Sequence, residues 1–309
     1  MRRFAPLVVP ALLVGLLAAC GGDGSSTSTD GLPSVSGEYG AKPKVTVDKG
    51  SDPGKKLQSE ILSEGSGPKV AVGDLLVADY LGKVYKSGKV FDNSYDRGAP
   101  SSFTLKNGQG GVISGWVKSL KGVPVGSRVL LVAPPKEGYG EQGNPQAGIK
   151  GTDSLVFVVD LIAAYSSKSP LPDSTPVTDL PATLPSVTGE AEPTVTIAEG
   201  TPPPTEPKTT VLSTGLGADV VKGELGIVQF SAVGWSGEAL RTTWTTGPEG
   251  VAIGGEQPSP FDLLVGIPVG SRVLLELPAQ DGADPAKESV AVVVDVLGQH
   301  GTAKKESEK

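Results

Sequence analysis

Histidine, cysteine and methionine occur once each in the 309 residues, and aromatic side chains make up only 5% of them. A lone cysteine, Cys20, leaves no intrachain disulfide to form. The single histidine, His300, lies in a tail read as charged and frayed, so no histidine dyad or metal cluster is available, and no glycine-rich phosphate loop argues for group transfer. The net charge is −7, and losing Arg2 and Arg3 with a leader would leave 25 basic against 34 acidic residues, which excludes nucleic acid as a natural partner.

What the chain does have is 43 glycines and 27 prolines, a composition that favours small β-rich domains joined by irregular segments over one large core. The length implies two domains. At the N-terminus, Met1-Arg2-Arg3 precedes an apolar stretch from Phe4 to Ala19, broken by Pro6 and Pro10, with the charged flank and short hydrophobic region of a secretion signal. That stretch is too short to span a bilayer comfortably. Its end, Leu17-Ala18-Ala19-Cys20, resembles the lipobox of bacterial lipoproteins, which implies signal residues 1–19, acylation of the Cys20 thiol and an extracytoplasmic protein anchored to the bacterial cell membrane. The alternative for Cys20 is an ordinary thiol behind a plain signal peptide.

Small polar residues from Gly21 to Thr29 have nothing to bury and read as a flexible tether, assigned to 20–40. Serine, proline and threonine between 166 and 185 mark a linker, and 301–309 a charged tail. The parts on either side of the linker, 41–165 and 186–300, repeat one another. Leu32-Pro33-Ser34-Val35-Ser36-Gly37-Glu38 returns as Leu184-Pro185-Ser186-Val187-Thr188-Gly189-Glu190, and the ten residues from Gly122 to Leu131 return from Gly266 to Leu275. Asp160 and Asp295 close the two copies after matching apolar runs. Strands are expected around 75–80, 128–132 and 154–161 from their β-branched and apolar content. One short helix is expected over 113–120 from apolar spacings of three and four, giving an α+β layer arrangement.

Six motifs in order, Val77-Ala78-Asp79-Tyr80-Leu81-Gly82, Gly88-Lys89-Val90-Phe91-Asp92, Val112-Ile113-Ser114-Gly115-Trp116, Val125-Gly126-Ser127-Arg128, Gly138-Tyr139-Gly140 and Leu155-Val156-Phe157, resemble the signature of the FKBP-type peptidyl-prolyl isomerases over roughly Val70 to Ala163. The resemblance implies two FKBP-like domains, each a half-wrapped antiparallel β-sheet with one short α-helix. It also implies a shallow apolar pocket in the first, floored by Trp116, walled by Tyr80, Phe91, Val112, Ile113, Tyr139 and Phe157, and flanked by Asp92 and Arg97. By the family's pattern Tyr80, Phe91, Asp92 and Tyr139 are catalytic, and Arg97, Val112, Ile113, Trp116 and Phe157 bind the substrate, with the Tyr139 hydroxyl and the Ile113 N–H donating to substrate carbonyls. The implied partners are proline-containing segments of unfolded or secreted proteins and macrolides of the rapamycin class; no cofactor or metal is needed.

Bland readings stand beside these: a solvated Asp92–Arg97 surface pair worth little, and Phe91, Trp116 and Phe157 as plain core aromatics. Two rim positions depart from the family, Ser101 where a phenylalanine is usual and Asn144 where a histidine often sits. In the second copy Phe230, Leu240, Arg241, Pro260 and Val292 stand at the places of Tyr80, Phe91, Asp92, Trp116 and Phe157, and nine residues are missing around the Tyr139 position. That copy therefore reads as degenerate, with Trp235 and Trp244 either exposed for binding or simply packed. The activity expected is isomerisation of X–Pro bonds during extracytoplasmic folding; the rival is a non-catalytic surface lipoprotein that binds peptides or a protein partner.

Overall fold

The computed structural model describes residues 32–280 and 282–301, so Cys20, the signal segment 1–19 and the tail beyond 301 lie outside the described residues. Chain order begins with a hairpin of β1 (Ser34–Ser36) and β2 (Lys44–Thr46), followed by β3 (Gln58–Ser63), β4 (Leu75–Val84), β5 (Val90–Asn93) and β6 (Ser101–Thr104). Helix α1 (Ser114–Leu120), β7 (Arg128–Ala133) and β8 (Leu155–Tyr165) complete a first unit. Its antiparallel sheet runs β3-β7-β8-β4-β5, with β6 on the other stretch of β4. The second unit holds β9 (Ser174–Pro176), β10 (Ser186–Thr188), β11 (Thr194–Thr196), β12 (Lys208–Gly215), β13 (Leu225–Gly234), β14 (Ala239–Thr242) and β15 (Glu249–Ala252). It ends with β16 (Arg272–Leu277), the four-residue α2 (Pro285–Glu288) and β17 (Val290–His300), in the sheet order β14-β13-β17-β16-β12-β9 with β15 on β13.

Alternation along the strands sends side chains to two cores per unit. On one face of the first sheet, Leu76, Ala78, Tyr80, Leu131 and Val159 pack against Trp116, Val117 and Leu120 of α1. On the other, Leu81, Leu130, Val132, Val156 and Val158 pack under the β1–β2 hairpin through Val35 and Val45. The second unit matches this with Val187 and Val195 over Leu274, Ala291 and Val293.

The repeated motifs explain each other here. Arg128 Nε donates to Asp160 at 2.6 Å while its two terminal nitrogens donate to the carbonyls of Gly37 and Ala41 in the hairpin turn. Arg272 does the same with Asp295, Gly189 and Glu190. Gly37 and Gly189 sit at φ of +102° and +92°, where glycine is favoured. The two segments most alike between the copies are thus the two halves of one contact, a buried ion pair whose remaining donors are satisfied by a turn.

Several boundaries differ from the sequence expectation. Residues 32–40, assigned to the tether, form β1 and its turn: Leu32 and Val35 pack in the hairpin core, and Gly40 N–H donates to Asp160. Residues within 166–185, assigned to the linker, carry β9, which pairs with β12, and place Leu171 and Leu184 in hydrophobic clusters. His300 is no frayed tail residue, since it ends β17 opposite Leu225. In the second unit the expected helix is a single 3₁₀ turn, Pro260–Leu264, capped by Ser259 and Asp262. Pro258 and Pro260 remove two backbone donors there, and an α-helix has no room to propagate. Trp235 is buried, with its indole N–H donating to the Thr201 carbonyl at 3.0 Å.

Candidate functional site

The central strand β4, flanked by β5, β6 and β8, carries the floor of an open cavity of about 500 Å³ lined by Tyr80, Phe91, Asp92, Phe103, Val112, Ile113, Trp116, Tyr139 and Phe157. Five rings close its floor edge to face: Trp116 meets Tyr80, Phe103 and Phe157 with centroids 5.7, 5.2 and 5.5 Å apart, and Phe91 meets Phe157 at 5.5 Å. T-shaped contacts of this kind suit the quadrupoles of the rings. Gly82, between Phe91 and Phe157, makes the packing possible, because a Cβ there would stand 2.6 Å from Phe91 Cζ and 3.1 Å from Phe157 Cε1.

One wall is polar. The Tyr80 hydroxyl donates to Asp92, and Arg97 pairs with Asp92, lies 5.5 Å from the Tyr80 ring centroid and donates to Tyr80 Oη at 3.1 Å and to Ser101 Oγ at 2.9 Å. Burial, then the hydrogen bond to Asp92, pushes the Tyr80 phenol up to about 12, so it stays a neutral donor throughout the physiological range. Ser101, at the rim position where an aromatic was expected from the family, extends this network in place of apolar surface. The Asp92–Arg97 pair is half exposed, but its bonds to Tyr80 make it more than an isolated surface pair.

The opposite wall is the turn after β7. Tyr139 is 39% exposed and caps a 3₁₀ turn, Gly140–Gln142. Buried Glu137, two residues earlier, accepts from Ser114 Oγ at 2.7 Å and Lys118 Nζ at 2.7–2.8 Å, tying that turn to α1. Lys118, then Ser114, holds its carboxyl below the usual range. Ile113 precedes α1 in extended conformation, and among the described residues no backbone carbonyl accepts its N–H. Asn144 is not among the lining residues; its side chain caps the next turn through the Ala147 N–H.

All nine site residues expected within the described region therefore gather at one place, eight lining the cavity and Arg97 behind Asp92. Two that sequence reasoning missed are Phe103 and Glu137. Alternation in β6 about Phe103, flanked by Ser102 and Thr104, was the available signal for the first; Glu137 gave none, because its partners lie 19 and 23 residues away. Among the described residues no group of three or more His, Cys, Asp or Glu side chains converges as a metal site would need.

A family profile described as FKBP-type peptidyl-prolyl cis-trans isomerase matches residues 67–162. An "FK506-binding protein" of Streptomyces anulatus is 37% identical over 122 residues, 40% of this chain and 96% of that protein. This chain belongs to the FKBP-type peptidyl-prolyl cis-trans isomerase family. The "FKBP-type peptidyl-prolyl cis-trans isomerase FkpA" of Escherichia coli (strain K12) is 38% identical over 126 residues, 41% of this chain and 43% of that one, so the chain spans less than half of that relative. The crystal structure of FkpA from Escherichia coli aligns at 40% identity with a TM-score of 0.32, over 35% of this chain and 47% of that one. The profile's span contains every site residue above, and the enzyme class the family carries is peptidyl-prolyl isomerase.

The second unit lies outside the profile and changes the residues at the matching places. Its register puts Phe230 at the Tyr80 position, Ala232 at Gly82, Arg241 at Asp92 and Val292 at Phe157. Phe261, one residue after Pro260, packs on Phe230 with centroids 5.4 Å apart, so it rather than Pro260 covers that ring. Trp244 takes the place of Tyr95, its indole nitrogen buried without a hydrogen-bond partner.

Proposed function

We propose that the first unit catalyses rotation about X–Pro bonds by taking the imide into the pocket between Tyr80, Trp116 and Phe157. The barrier of about 18–20 kcal/mol is largely amide resonance. Water strengthens that resonance by solvating the carbonyl, so an apolar, ring-lined site favours the less polar twisted imide over the planar ground state. No nucleophile or proton relay enters. The Ile113 N–H and the Tyr139 hydroxyl donate to carbonyls flanking the proline and fix its orientation. Asp92, held by Tyr80 and Arg97, sits beside the twisting carbonyl. The observation that carries this reading is the closure of Tyr80, Phe91, Trp116 and Phe157 around one cavity, with the Asp92–Arg97 network along one side.

In the same reading the protein acts outside the cytoplasm on secreted or cell-wall clients, anchored through acylated Cys20, and the second unit is a degenerate FKBP-like copy. The lipobox-like Leu17-Ala18-Ala19-Cys20 supports the anchor, and metabolic labelling with a fatty acid, abolished by Cys20→Ser, tests it. The printed name of the Streptomyces relative supports a rapamycin-class macrolide as a ligand of the pocket. A protease-coupled proline-peptide assay on the chain from residue 21 onward is expected to show acceleration that Phe91→Ala or Asp92→Ala reduces. Macrolide binding without any acceleration would favour the non-catalytic binder instead.

A further inference from the structure

The two units meet through one face used twice. Leu75 and Val77 of β4 are buried with Ile227 of β13 and Leu297 of β17, and Ile162, Tyr165 and Leu225 pack around them. Leu75 and Leu225 occupy matching places, since Leu75 faces Tyr165 across the first sheet and Leu225 faces His300 across the second. Tyr165 and His300 in turn bond to each other at 2.8 Å. Ser102, opposite Val77, and Gly250, opposite Ile227, also correspond. They touch: a Cβ on Gly250 would stand 2.1 Å from Ser102 Oγ and 2.7 Å from Ser102 Cβ. Equivalent residues meeting across an approximate two-fold axis is the arrangement of a symmetric dimer, here built within one chain.

That contact reaches the site through β6. Side chains alternate along a strand, so Ser102 faces the second unit while its neighbours face the first. Phe103 packs on Tyr80 and Trp116 with centroids 5.3 and 5.2 Å apart, and Ser101 accepts from Arg97. Three consecutive residues thus have their centre against the second unit, one end, Phe103, lining the pocket and the other, Ser101, bonded to Arg97 behind its polar wall.

We propose that Gly250, acting through Ser102, is a positioning residue of the isomerase site. The second unit braces β6, which sets Phe103 and the hydrogen-bonded chain of Ser101, Arg97, Asp92 and Tyr80. A catalytically silent copy thereby has a part in the reaction, and with Ser102 opposite it, only a residue without a side chain at position 250 lets β6 lie where the pocket needs it. The inference rests on the isomerase reading of the pocket for its kinetic arm, but its structural arm does not.

The test uses the chain from residue 21 onward with Gly250→Ala, and with the exchange S102G/G250S, which hands each unit the other's residue. Gly250→Ala is expected to move the NMR resonances of Phe103, Arg97 and Tyr80 and to lower kcat/KM about tenfold, as small displacements of a site do. The exchange removes the two nearest atoms that a Cβ at 250 would strike, the next being the tip of Leu225 at 3.2 Å, and is expected to restore the resonances and bring kcat/KM to within about twofold of wild type. Unmoved site resonances in Gly250→Ala would overturn the proposal, and so would an exchanged, folded protein that stays shifted. Should wild type itself fail to accelerate isomerisation, the isomerase reading falls, while the resonances still decide whether Gly250 sets the pocket wall.

Discussion

Arg128 and Arg272 make the same bonds to an aspartate and a hairpin turn, while Asp92 and Arg241, at matching places on β5 and β14, carry opposite charges. The ion-pair partner has changed with them: Arg97 answers Asp92 in the first unit, and Glu249 answers Arg241 in the second. A guanidinium still lies over the ring at the strand centre, 5.5 Å from Tyr80 in one and 5.2 Å from Phe230 in the other. What the two units share is therefore whatever holds the sheet to its hairpin, and what they do not share is the shape of the cavity. A buried arginine with every donor bonded leaves little freedom to vary, because losing one partner strands a charge. A wall residue facing open solvent has no such constraint unless a ligand supplies it.

The largest difference expected from breaking this comparison is in stability. Arg128 and Asp160 have 2% and 1% of their side-chain surface exposed, so Arg128→Met, which leaves Asp160 uncompensated, should cost about 3–5 kcal/mol in denaturant unfolding. Arg272 is more exposed than Arg128, and Arg272→Met should cost less. Equal costs would mean that the two cages are not graded by burial.

Next is a single methyl group. Gly82→Ala gives the first unit the residue the second already has, and its Cβ would push Phe91 and Phe157 apart. About a tenfold loss of kcat/KM is expected, against none for Ala232→Gly, measured by the same peptide assay. An undiminished rate would show that the approach of Phe91 to Phe157 does not matter to turnover.

The smallest expected effect lies at the junction of the units. Burial holds the His300 imidazole below its ordinary 6.5, so the folded state resists a proton that the unfolded chain accepts. Stability from this group is fully present above about pH 6.5 and is lost as pH falls below it. Replacing His300 with Gln should flatten that part of the stability–pH curve. An unchanged slope would place the titration elsewhere.

Much of the first unit was legible because its signals are local. Each strand run, the short helix before Gly122 and each of the six motifs that carry the aromatics is contained within about a dozen residues, and the duplication exposed the second sheet. The hairpins escaped because a three-residue strand such as Ser34–Ser36 has too little periodicity to register, and because serine, proline and glycine read as tether. The inter-unit contact was visible only as a surplus: Leu75-Leu76-Val77-Ala78 is apolar on both faces, the pattern of a strand covered twice, and one of its covers is 150 residues away at Ile227. Phe103 and Glu137 belong to the same class, since their roles depend on which strand or turn the chain brings beside them.

The most direct measurement converts one unit's pocket into the other's. In the chain from residue 21 onward, the triple variant G82A/F91L/D92R installs Ala232, Leu240 and Arg241 at their matching places while leaving both arginine cages intact. The expected result is isomerase activity reduced at least about a hundredfold, towards background, with a cooperative unfolding transition retained. Activity within about twofold of wild type in that variant would contradict the assignment of catalysis to the first unit's pocket.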